Sequence, residues 1–80
     1  MNRKELFEKI QEIFRDIFED ENLKLEESTN SNDIEDWDSL NHINLVVAIE
    51  NETKIKFNLD ELSELKDVGA MIDLIMLKKQ

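Results

Sequence analysis

Eighty residues without a cysteine make one small domain, near the lower size at which a chain folds alone, and leave no place for disulfides or a thiolate metal site. Twenty acidic residues against ten basic ones give a net charge of −10, which repels nucleic-acid phosphates and anionic membrane and steers basic protein faces toward the surface. Proline is absent, glycine occurs once and 40% of the residues are hydrophobic, so an all-α fold around a compact core is expected.

Leu6, Ile10, Ile13, Phe14, Ile17 and Phe18 stand at helical spacing with charged residues between them, which predicts a surface helix from about Arg3 to Asp20. Asn2 is its candidate cap, and Glu5 completes a capping-box pattern. From Glu21 to Asp38 the periodicity fails, and Asn, Ser, Thr and Asp accumulate. A loop of that length in a small domain is functional or pinned by its own apolar residues, here Leu23, Leu25, Ile34 and Trp37.

A second helix is expected from Ser39 to about Asn51. Leu40, Ile43, Leu45, Val46, Val47 and Ile49 make it apolar over much of its circumference, so it should meet several neighbours. Residues 52–57 read as a loop, because Ile55 and Phe57 alternate with lysines but no second strand exists to pair with them. A short helix follows at Asp60–Leu65, with Leu59, Leu62 and Leu65 on one side. A last helix runs through Val68, Met71, Ile72, Ile75 and Met76, capped by Asp67 and closed by Lys78 and Lys79. The sum is a four-helix bundle with a long first loop and a short third helix, spanning residues 1–80 as a single domain that reads as a monomer. No apolar run reaches membrane-spanning length and no signal-peptide pattern is present, so cytoplasmic residence without membrane insertion is the expectation.

The chemistry lies at Asp36-Trp37-Asp38-Ser39-Leu40, where the long loop enters the second helix. A phosphate ester on Ser39 would sit against free backbone N–H groups and the positive end of the helix dipole, gaining roughly 0.3 to 1 kcal/mol. The plainer alternative makes Ser39 or Asp38 a helix cap worth about 1 kcal/mol. His42 follows Ser39 by one turn, but a hydrolase would also need an orienting carboxylate and an oxyanion hole, so His42 is expected to face solvent or a partner. The acid- and amide-rich stretch Asn30 to Asp38 lacks the glycine and terminal glutamate of a calcium loop, and no metal site is expected. Trp37 reads as a loop anchor, with contact to a prosthetic arm or an acyl partner as the alternative.

Asp38-Ser39-Leu40, opening a helix after a long loop, resembles the phosphopantetheine site of acyl carrier proteins. Ile43-Asn44-Leu45-Val46-Val47-Ala48-Ile49-Glu50 resembles that family's recognition helix, Ile55-Lys56-Phe57 its extended link, and Asp67-Val68-Gly69 the start of its last helix. The resemblance covers essentially the whole chain. It implies a thioester carrier rather than an enzyme, with 4'-phosphopantetheine transferred from coenzyme A onto Ser39 by a phosphopantetheinyl transferase. The terminal thiol suits a chain that has no sulfhydryl of its own. An acyl-carrier ligase, acyltransferases or synthases with basic docking faces would then meet the second helix during lipid or related biosynthesis. Asp36, Trp37, Asn41, His42, Asn44, Val47 and Glu50 are the candidate recognition residues, and the family's apolar interior would offer a place for the acyl chain. Asn41 and Asn44 stand where the family has acids, and Trp37 where it has a small residue. These departures point to a specialised carrier outside general fatty-acid synthesis. D-alanyl or other aminoacyl carriers share the pattern, and an unmodified helical interaction module is the alternative of a different class.

Overall fold

Leu6, Ile10 and Phe14, each four residues from the next, line one buried stripe of the first helix in the computed structural model, which describes residues 2–79. Among the described residues there are four helices: α1 (Arg3–Ile17), α2 (Ser39–Thr53), α3 (Leu59–Leu62) and α4 (Val68–Lys78). None of them is long and apolar enough to cross a membrane. Asn2 caps α1 through its side-chain oxygen, which accepts from the Glu5 N–H at 2.8 Å. The reciprocal half of the box is altered: the Glu5 carboxylate accepts from the Asn2 side-chain amide at 3.3 Å.

The first helix ends at Ile17, three residues before the expected Asp20. Glu19 turns into the left-handed region at φ 53°, and the Asp20 N–H returns to the Arg15 carbonyl at 3.0 Å. That is a Schellman closure, built without its usual glycine. Lys54, at φ 63°, ends α2 in the same conformation, two residues later than expected.

One apolar core gathers the buried faces. α1 contributes Leu6, Ile10 and Phe14; α2 contributes Leu45, Val46 and Ile49; α4 contributes Val68, Met71, Ile72 and Ile75. Burying a side chain of this size stabilises the fold by about 1.5–3 kcal/mol, so these three stripes supply most of the driving force. The apolar circumference of α2 divides: Leu45, Val46 and Ile49 turn inward, whereas Leu40, Ile43 and Val47 are exposed. Thr53, the buried polar residue of this helix, donates its hydroxyl to the Ile49 carbonyl at 2.6 Å. The short third helix covers Leu59–Leu62 rather than Asp60–Leu65, and Leu59 points out at 85% exposure while Leu65 is buried.

The long loop is ordered by the rest of the molecule. Leu25 and Trp37 are buried and Leu23 and Ile34 partly so. Arg15 Nε donates to the Leu23 carbonyl at 2.7 Å, and the Leu25 N–H donates to the Gln11 side chain at 2.9 Å. The loop also joins the start of α4 through an isolated antiparallel bridge between Asn30 and Asp67. There the Val68 N–H donates to the Thr29 carbonyl at 3.0 Å and the Gly69 N–H to the Glu27 carbonyl at 2.8 Å. A Cβ on residue 69 would lie 3.1 Å from that same Glu27 oxygen, which accounts for the chain's one glycine.

Ion pairs decorate this frame. Arg3 bonds both Glu27 and Asp73, which holds its guanidinium well above its ordinary range; Glu27 in turn is held below the usual carboxylate range by that bond. Lys9 pairs with Glu52 at 2.9 Å, raising the lysine and lowering the glutamate, and so links α1 to α2.

Candidate functional site

Asp38, extended at φ −103°, is the cap of α2: its carboxylate accepts from the Asn41 N–H at 2.8 Å and its carbonyl from the His42 N–H at 2.8 Å. Ser39 is therefore the first helical residue and not the cap, and it is exposed. Its hydroxyl stands at a helix N-terminus without being consumed by capping. Asn41 turns its amide back to the Asp36 carbonyl at 2.7 Å, which fixes the approach of the loop.

Trp37 and His42 are tied to each other. Trp37 is 5% exposed, stands edge-on to Phe14 with ring centroids 5.1 Å apart, and stacks near His42 at 6.1 Å. Its indole N–H donates to His42 Nδ1 at 3.1 Å. An indole can only donate, so Nδ1 accepts and the imidazole proton lies on Nε2. Nε2 then donates across to the Leu62 carbonyl of α3 at 3.2 Å. His42 does not simply face solvent, as one of the two expectations had it: the ring is half-buried and bridges the loop, α2 and α3. Trp37 takes the anchor position.

Beside Ser39 an open groove of about 600 Å³ runs between α2 and α3. Trp37, His42 and Leu62 form its inner wall, and the exposed Ile43 and Leu59 form its lips. Ser31, Ser63 and Lys66 add polar groups to the lining. Sequence reasoning singled out none of these three, because loop closure brings them to Ser39 and no local pattern marks them.

The remaining expected recognition residues divide. Asp36, Asn44 and Val47 are exposed, and Asn44 donates to the Asn41 side chain at 3.2 Å. Glu50 is half-buried and uses its carboxylate to accept the Phe57 N–H at 2.8 Å, holding the link between α2 and α3. Glu61 lies below the usual carboxylate range, first because it accepts the Asn58 backbone N–H in a capping box and then because Lys78 lies 2.8 Å away. Among the described residues no group of acids and histidines is arranged to hold a metal ion.

A family model described as a phosphopantetheine attachment site matches residues 8–75. An acyl carrier protein of Lactobacillus acidophilus is 29% identical over 75 residues, 94% of each chain. The solution structure of the holo acyl carrier protein from Geobacter metallireducens matches with a TM-score of 0.85 at 44% identity, covering 92% of this chain and 85% of that one.

Proposed function

This chain belongs to the acyl carrier protein family, a family of carriers and not catalysts, and from that premise we propose that Ser39 is the attachment point of its phosphopantetheine group. The observation that carries this reading is the exposed serine hydroxyl at the first turn of α2, left out of the cap by Asp38 and opening onto the groove. These residues fit the group. A phosphodiester on Ser39 meets the positive end of a helix dipole, Lys66 is a cation of the same groove, and the inner wall is largely apolar. When bound, the arm supplies the thiol on which acyl groups ride as thioesters. Asp38 orients the serine, Trp37 and His42 shape the wall along which the arm lies, and Ile43 and Leu59 offer apolar surface at its edge.

The family works with transferases and synthases. For this chain the docking face is α2, where Leu40, Ile43 and Val47 form an exposed apolar stripe flanked by Asp36 and Asn44. Residues 1–80 act together as one carrier domain, serving enzymes with basic faces outside general fatty-acid synthesis; Asn41 and Asn44 support the latter point by removing charge from that face.

Intact-protein mass after incubation with coenzyme A and a phosphopantetheinyl transferase tests the attachment. The wild type gains one phosphopantetheine and Ser39→Ala gains none. A modified Ser39→Ala protein, or an unmodified wild type beside an active control carrier, would overturn the assignment.

A further inference from the structure

We infer that the hydrogen-bonded series Trp37–His42–Leu62 is a latch that keeps α2 and α3 together, so that the acyl cargo, short or long, lies along the open groove instead of entering the core. The inference rests on the attachment at Ser39 proposed above. Three observations carry it. First, Trp37, His42 and Leu62 are all groove-lining and less exposed than Ile43 and Leu59, which places the series at the back of the groove. Second, its two bonds, 3.1 Å and 3.2 Å, run from the loop through α2 to the backbone of α3. A chain passing between those helices toward the core must break the second bond. Third, Phe14 meets Trp37 edge-on directly behind that wall, and Phe14 is itself fully buried. An entering chain would have to displace aromatic packing as well as a hydrogen bond.

The hinge side of such an opening is α3. It is four residues long and contains no fully buried side chain; Leu62 packs partly buried against the core, and the Glu61–Lys78 pair ties it to α4. An element so short and so little buried is the one that opens most readily, so the latch decides whether it does. His42 is thus a positioning residue for α3 and decides whether a long acyl chain can reach the core.

The test loads the phosphopantetheine form with acetyl, butyryl, octanoyl and dodecanoyl groups and follows cleavage of each thioester by hydroxylamine. The Trp37 indole N–H resonance is recorded in parallel. Since the cleavage rate follows the exposed fraction of the thioester, the wild type should show rates within about two-fold across the four chains, and an indole resonance that does not move with chain length. His42→Phe, which keeps an aromatic ring but neither bond, should protect the two longer chains by about five-fold or more. Trp37→Phe, which drops the indole donor but keeps the contact with Phe14, should give a smaller protection in the same direction. Protection of the longer chains in the wild type, with the indole resonance shifted, would overturn the latch. So would equal rates in wild type and both variants. Failure of Ser39 to take up the arm is read separately, from the protein mass before any acyl group is added, and would remove the attachment itself.

Discussion

Asp38 shows how one side chain can serve the helix and free its neighbour. By accepting the Asn41 N–H it takes the capping role that Ser39 would otherwise fill. Asp38→Ala should lower stability by about 1 kcal/mol, and Asp38→Asn should restore most of it, as read from urea unfolding. Unchanged stability in Asp38→Ala would place the cap elsewhere. The sequence narrowed the cap to Asp38 or Ser39 but could not choose, because both residues cap well and the choice depends on backbone angles. His42 was less legible still. Its acceptor, the Leu62 carbonyl, lies twenty residues away and on another helix, and a backbone acceptor leaves no trace in residue type.

At the scale of the elements, helix existence was readable from apolar spacing and helix ends were not. α1 and α2 both stop on non-glycine residues in the left-handed conformation, so the residue that would have announced each stop is missing. Glu19→Gly should therefore stabilise the protein by roughly 0.5–1 kcal/mol, the relief of left-handed strain exceeding the entropy that glycine adds to the unfolded chain. A lower melting temperature in that variant would mean that the Glu19 side chain has a role beyond the turn. The exposed half of α2 was legible as apolar residues but not as a surface, since periodicity reports a wide stripe without saying which neighbours cover it. For α3, the Glu61 carboxylate lies below its ordinary value near 4.5 because the folded state favours the charged form. That contribution is complete above about 4.5 and is lost as pH falls through the lower folded value. Glu61→Gln should accordingly melt below the wild type at neutral pH, with the gap closing on acidification past that window. A gap that stays constant with pH would assign the effect to packing instead.

At the scale of the whole molecule, a net charge of −10 is confined to a body whose longest dimension is 32 Å. The Debye length is about 10 Å at 0.1 M salt, so at low ionic strength most of these charges feel one another. Added sodium chloride should raise the melting temperature by screening that repulsion, while slowing association with a basic partner enzyme. A melting temperature that falls with salt would show that the ion pairs of Arg3, Lys9 and Lys78 outweigh the repulsion. The bridge between the long loop and α4 has a temporal meaning as well. Carbonyls of Glu27 and Thr29 wait for the N–H groups of Gly69 and Val68, some forty positions later in synthesis. A nascent chain can pair α1 with α2 early and fasten Leu23, Leu25 and Trp37 of the loop to α1, yet the stretch around Glu27 and Thr29 stays unfastened until α4 emerges. The start of α4 is thus a late clasp on the middle of the loop, while the stretch that leads into Ser39 is already held by α1 and α2.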